Sequence, residues 1–248
     1  MKPWTASPIG RRAIRSETMS DRMLVLGRQG VPACPATSQT LGAADPFGAG
    51  RKIAFQDVAG FSSGHVDLAG AIAIPGLPHA EVIVLVAGSL TCGGETFATG
   101  EALVLPKGYS GSVSLAKGTR WFFCAITAGD KGAESAAIRL NPTLPRAASP
   151  GPAQEVVVGT PPECHSLNLF TDPSALRAGV WDVTTPCERT FVAHRVHELM
   201  HLIEGEVTLT HRSGGAEVIG AGDTIFLPRG APYAWKSTAK IVKYYCVM

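Results

Sequence analysis

The chain has 248 residues and a net charge of +2, from 22 basic and 20 acidic side chains. Charged residues make up only 17% against 45% hydrophobic, with 28 Gly and 18 Pro, the composition of a compact, turn-rich globular protein. No basic stripe interleaved with aromatics points to nucleic acid, and no apolar run of roughly 18 residues points to a membrane span.

Residues 1–22 carry Arg11, Arg12, Arg15 and Arg22 and no apolar core, so a secretory leader is not expected. Residues 1–45, rich in Gly, Pro, Ser and Thr, read as an extension that is mostly disordered or loosely attached. The six cysteines form no C-x-x-C pair. They read as reduced, buried thiols of a cytoplasmic protein.

A first unit follows over residues 46–127. Glu81-Val-Ile-Val-Leu-Val-Ala-Gly88 is a short apolar run stopped by glycine, too short and too β-branched for a free-standing helix. Cys92-Gly-Gly-Glu95 supplies a tight hairpin turn. Gly100 then opens Gly-x5-Pro-x-Gly, ending at Pro106-Lys-Gly108. In that pattern glycine permits a tight turn, proline ends the strand by removing a ladder donor, and the last glycine turns the chain back. Trp121-Phe-Phe-Cys-Ala-Ile126 closes the unit. Residues 128–167, with six prolines from Pro142 to Pro162, read as a semi-extended linker.

A second unit, residues 168–248, repeats the first. Phe55, Asp57, Gly64 and Asp67 recur 115 residues later as Phe170, Asp172, Gly179 and Asp182. Glu198-x6-Gly205 repeats Glu81-x6-Gly88, Gly222…Pro228-Arg-Gly230 repeats Gly100…Pro106-Lys-Gly108, and Lys243-Tyr-Tyr-Cys-Val-Met248 repeats Trp121–Ile126. Glu206–His211 alternates apolar and polar before the turn at Ser213-Gly-Gly215. Two copies are too few for an open solenoid, so each unit is expected to be a closed all-β domain with its own core. The four repeated aspartates are expected to cap turns or strand ends.

The doubled E-x6-G and G-x5-P-x-G elements resemble the cupin superfamily, whose motifs are H-x-H-x3-4-E-x6-G and G-x5-P-x-G-x2-H-x3-N. The match covers about residues 53–127 and 168–248. Gly179-Val-Trp-Asp182, Pro106-Lys-Gly-Tyr-Ser-Gly111 and Pro228-Arg-Gly-Ala-Pro-Tyr-Ala-Trp235 are similar to the subfamily of ethanolamine-utilisation cupins and ureidoglycine aminohydrolase. The resemblance implies two tandem jelly-roll barrels with a ligand site inside each barrel. It also implies a divalent transition metal such as Mn, Fe, Ni or Zn, held by imidazole and carboxylate.

Laid onto this chain, the family's ligand positions are partly filled. In the second unit Glu198 is present and His194 matches the second histidine, which makes this pair the candidate metal ligands. Val192 stands at the first histidine, Tyr233 at the second-motif histidine and Ser237 at its asparagine. The first unit keeps Glu81, but Leu77, Pro75 and Gly111 stand at its histidine positions, so it is expected to be a structural partner; His79 shares the face of Glu81. His197 and His201 fall on the opposite face from Glu198 and are expected at an interface, the second sheet or solvent. His211 is expected in solvent. A glutamate aimed into an apolar barrel would have a raised pKa unless His194 pairs with it.

Two classes stay open. One is a lyase, isomerase or hydrolase carried by His194, Glu198 and Tyr233, with Glu198 as the acid–base group. The other is a non-catalytic binding module or sensor for a small polar metabolite. In both, Trp181 and Trp235 are candidate pocket walls, the expected partner is a small-molecule ligand, and a homodimer is open.

Overall fold

Glycine stops and short apolar runs translate into strands. A computed structural model describes residues 22–248; among the described residues the strands pair antiparallel, the one other regular element is a 3-10 turn at Gln154–Val156, and there is no α-helix. The all-β jelly-roll expectation holds.

The first unit is one nine-stranded sheet. Its spine is two long strands, Phe61–Ile74 and Gly111–Ile126, paired with each other along most of their length. The motif strand Ala80–Ala87 flanks Gly111–Ile126 and pairs in turn with Ala102–Leu105. The hairpin at Cys92–Glu95 turns on Gly93 and Gly94, with φ of 57° and 83°.

In the second unit each long strand is cut in two. Arg177–Val183 and Cys187–Ala193 replace the first, and Pro232–Ser237 and Ile241–Val247 replace the second. Pro186, which has no backbone N–H for a ladder bond, lies in the first cut. The upstream and downstream halves therefore part company. Arg177–Val183 and Ile241–Val247 join the motif strand Glu198–Glu204 in an eight-stranded sheet, while Cys187–Ala193 and Pro232–Ser237 belong to a separate four-stranded sheet. The space between those two sheets becomes the site.

Alternation along the motif strand sorts side chains between two cores. Met200 and Leu202 pack inside the second barrel, and Leu199 packs on its outer side. That outer layer is shared by both units: Phe61, Phe122 and Cys124 of the first pack with Phe170, Leu199, Phe226 and Cys246 of the second. His197 lies in the same layer, stacked on Phe61 at 5.3 Å between ring centroids and 3.3 Å from Asp57. His201 is buried and hydrogen-bonds Thr224 at 2.8 Å.

The repeated residues have structural reasons. Phe55 and Phe170 each follow a register break, between Ile53 and Phe55 in one unit and between Asn168 and Phe170 in the other. The strand opposite carries Gly64 or Gly179, where a Cβ would lie 2.1 Å from Lys52 O or 2.0 Å from Leu167 O, so the bulge requires glycine. Asp57 and Asp172 cap turns, accepting from the backbone N–H of Ala59 and Ser174 at 2.9 Å. Asp67 and Asp182 depart from the capping expectation. They form ion pairs, Asp67 with Arg120 at 2.5 Å and Asp182 with Arg146 and His165.

The expectation of a mostly loose extension over residues 1–45 fails where it can be seen. Residues 1–21 lie outside the described residues. From there, Leu24–Arg28 pairs with Thr224–Leu227 of the second unit, and Met23 and Leu26 are buried. Thr37–Ser38 pairs with Arg51–Gln56 of the first. The Met23-Leu-Val-Leu26 run gains about 1.5–3 kcal/mol for each large side chain it fully buries, enough to hold a short strand. The linker is also partly recruited. Ile138–Arg139 pairs with Ala102–Leu105, Ala147–Ser149 pairs with Cys164–Thr171, and the latter strand begins before residue 168.

Candidate functional site

The first barrel is closed around Glu81. Its Oε1 accepts from Trp121 Nε1 at 3.0 Å, and its Oε2 accepts from Arg51 Nη2 at 2.7 Å and contacts His79 Nε2 at 2.9 Å. Arg51 reaches back to Asp45 at 2.7 Å and 3.0 Å and lies over the Phe123 ring. These charged side chains have no exposure at all. Burial pushes the Glu81 carboxyl up, but Arg51 and then His79 more than offset this and hold it at about 2.

The second barrel builds the same glutamate differently. Glu198 Oε1 accepts from Lys243 Nζ at 2.7 Å, and Oε2 lies 2.9 Å from His194 Nε2. The His194 contact is an ion-pair distance off the ring's N–H direction, so Nε2 makes no well-formed hydrogen bond. His194 Nδ1 meets the Tyr233 hydroxyl at 3.0 Å. When Nε2 carries the ring proton, the phenol donates to Nδ1. His194, Glu198 and Tyr233 thus meet in one cluster, and Lys243 completes it.

Sequence reasoning missed Lys243. It is the counterpart of Trp121, and the two play one part: the last strand of each unit donates to the motif glutamate. Its ammonium lies 4.8 Å from the Trp181 ring centroid and 5.6 Å from that of Trp235, a cation–π cage, and crowds Met200 Sδ at 2.7 Å. A lysine heading an otherwise apolar run was the available signal.

Burial pushes the Glu198 carboxyl up, yet Lys243 foremost and His194 hold it at about 2. The carboxylate is therefore ionised at neutral pH, so it holds no proton to donate as an acid, and Lys243 and His194 weaken it as a base. Burial pushes the Tyr233 phenol well above its ordinary range, so it is a neutral hydroxyl. The guanidinium carbon of Arg189 lies 4.4 Å over the Tyr233 ring centroid.

A cavity of about 480 Å³ opens onto this cluster, lined by Trp181, Arg189, Val192, His194, Tyr233, Trp235 and Lys243. Trp181 and Trp235 meet edge to face at 6.2 Å. Pro150 to Ala153, from the linker, form part of the rim. The first barrel has Arg51 where the second has Ser166, 115 residues later, and each pairs across the ladder with equivalent residues, Val66 and Trp181. Ser166 lines a smaller neighbouring cavity together with Glu198, where the guanidinium of Arg51 packs on Glu81 in the first barrel.

These residues do not fit a transition metal. Both Glu198 oxygens are engaged, one by an ammonium that would repel a cation. Val192 offers no donor where the first histidine should stand, and Tyr233 is neutral. Among the described residues no three His, Cys, Asp or Glu side chains form a metal-ligating group.

Residues 173–245 match the family model for the EutQ-like cupin domain. A crystallised protein of unknown function from Pseudomonas syringae pv. tomato, of the DUF861 family, is 35% identical, with a TM-score of 0.86 over 91% of this chain and 99% of that one. A cupin 2 conserved barrel domain protein from Leptotrichia buccalis shares the fold at 13% identity, with a TM-score of 0.54 over 78% of this chain and 86% of that one. No curated protein matches the chain.

Proposed function

From a chain that belongs to the cupin superfamily, we propose a protein that binds a small polar metabolite in its second barrel, with no transition metal at the motif glutamate. The observation that carries this reading is the asymmetry of the barrels. Glu81 is sealed by Arg51 and Trp121, whereas the groups around Glu198, namely His194, Tyr233 and Lys243, line an open cavity of about 480 Å³, within the usual range of ligand pockets. Tyr233, His194 and Arg189 offer the polar contacts, and Trp181 and Trp235 the apolar walls.

The catalytic form of this reading is a lyase, isomerase or hydrolase reaction. His194 is then the group that moves a proton, Glu198 is the fixed anion that orients and stabilises the imidazolium, and Tyr233 is a neutral donor. The second form, a non-catalytic sensor, is favoured by the Lys243–Glu198 pair, which occupies the motif carboxylate and leaves it no proton to donate at neutral pH.

Thermal-shift screening of the full chain against small amides, amino acids and hydroxy acids tests the reading. A binder should lose at least tenfold in affinity with His194→Gln and with Tyr233→Phe, each of which removes one contact of the cluster. NMR of the same binder separates turnover from simple binding. Binding that ignores both substitutions would place the ligand elsewhere and overturn the reading.

A further inference from the structure

The cavity carries a charge pattern that narrows its ligand. Three cationic side chains line it, Arg189, Arg195 and Lys243, against one lining carboxylate, Glu155 at the exposed rim. Lys243 is matched by Glu198 beneath it. Arg189 is different. Its Nη1 donates to the backbone oxygen of Tyr233 at 3.3 Å, its guanidinium carbon lies 4.4 Å over the Tyr233 ring centroid, and among the described residues no carboxylate pairs with it. A guanidinium held against an aromatic face keeps its remaining N–H groups in a planar fork, the geometry that receives a carboxylate through two parallel hydrogen bonds.

The first barrel supplies the contrast. There the guanidinium of Arg51 is matched by two carboxylates, Asp45 and Glu81, all buried without exposure. Neither arginine has a counterpart in the other barrel: Ser166 stands for Arg51 at the 115-residue offset, and Ile72 stands for Arg189 at the 117-residue offset that relates Leu77 to His194. The closed barrel has balanced its charge internally. The open one has an unbalanced guanidinium at the wall of its cavity.

We infer that the second barrel is a metal-independent site for a small organic carboxylate. Arg189 receives the carboxylate group, Lys243 holds the cationic position at the barrel floor that a metal would otherwise take, and Trp181 and Trp235 flank the apolar body of the ligand. This deepens the small-molecule reading and rests on it.

Calorimetric titration of the full chain with two matched probe sets tests the inference: benzoate, benzamide and benzylamine, and the shorter butyrate, butyramide and butylamine. In at least one set the carboxylate should bind tenfold or more tightly than the amide, with the amine weakest. Arg189→Met should bring the carboxylate down to the level of the amide and leave the amide within about twofold. Arg189→Lys, which keeps the charge but loses the fork, should recover part of the preference and guards against a folding defect. Equal binding of amide and carboxylate would overturn the anion site while leaving the small-molecule reading standing. A carboxylate preference that survives Arg189→Met would overturn the role of Arg189. Failure of all six probes would overturn the carboxylate site, and the separate screen with amides, amino acids and hydroxy acids then decides the broader reading. Stoichiometric Mn, Ni or Zn binding by wild-type protein that His194→Gln abolishes would overturn metal independence.

Discussion

Glu81 and Glu198 hold one motif position, and the difference between them is their counter-ions. Glu81 faces a guanidinium, an indole N–H and an imidazole; Glu198 faces an ammonium and an imidazole. Removing one partner of a buried pair leaves the other charge uncompensated, typically at about 3–5 kcal/mol, whereas removing both is far milder. Glu198→Gln should therefore lower unfolding stability by about 3 kcal/mol, and Lys243→Met/Glu198→Gln should recover most of that loss. Urea denaturation of the two variants decides it; a double variant no more stable than the single one would show that Lys243 is not held by Glu198. Glu198 and His194 were legible because they keep the spacing of the first cupin motif, and Tyr233 because it stands at the histidine of the second; strand alternation was the wrong reason for His194, which lies in the turn before Glu198–Glu204. Lys243 and Arg51 were not legible. Their partners lie 45 and 30 residues away, and a lone charge in a strand reads equally well as a solvated edge.

At the scale of elements, the strand Leu24–Arg28 ties the two units together. It pairs with Thr224–Leu227 of the second barrel while Gly27 lies flat on Phe122 of the first. A Cβ on Gly27 would stand 2.1 Å from Phe122 Cζ, and that ring is fully buried and cannot swing away. Arg28 adds ion pairs to the half-exposed Glu217 at 2.5 Å and to the buried Asp223 at 3.0 Å, and its own 39% exposure keeps their contribution small. Packing should then dominate. Leu26→Ala should cost about 2–5 kcal/mol and Gly27→Val a comparable amount, while Arg28→Ala should cost under about 1 kcal/mol. Thermal melts rank the three; a larger loss from Arg28→Ala than from Leu26→Ala would assign the strand to electrostatics. The strand was hidden because composition over residues 1–45 averages a four-residue apolar run, Met23–Leu26, into a polar, glycine-rich neighbourhood. The bulges at Phe55 and Phe170 were legible as repeats, but their cause, a glycine on the facing strand, is a property of the ladder and not of either segment alone.

For the whole molecule, the layer between the barrels and the core of the second sheet make stability depend on pH through histidine. Burial pushes His201 down to about 4 and also lowers His197, with Asp57 opposing the latter shift. In the unfolded chain both titrate near the ordinary value of about 6.5. Between these limits the unfolded state binds protons that the folded state refuses, so stability is complete above about pH 6.5 and is lost as the pH falls toward 4. The His201 shift alone corresponds to about 3 kcal/mol across that window. Glu81 and Glu198, both held at about 2, act lower down. Their contribution is present above the ordinary carboxylate value and is lost as the pH falls from about 4.5 toward 2. The two windows overlap only slightly, so the urea midpoint should fall in two stages on acidification, histidine first and carboxylate second. His201→Leu, which cannot take up a proton in either state, should shrink the upper stage to the part that His197 supplies and leave the lower one in place. A midpoint that is level or rises between pH 6.5 and 4.5 in the wild-type protein would contradict the buried, neutral state of His201 between Thr224 and Tyr244.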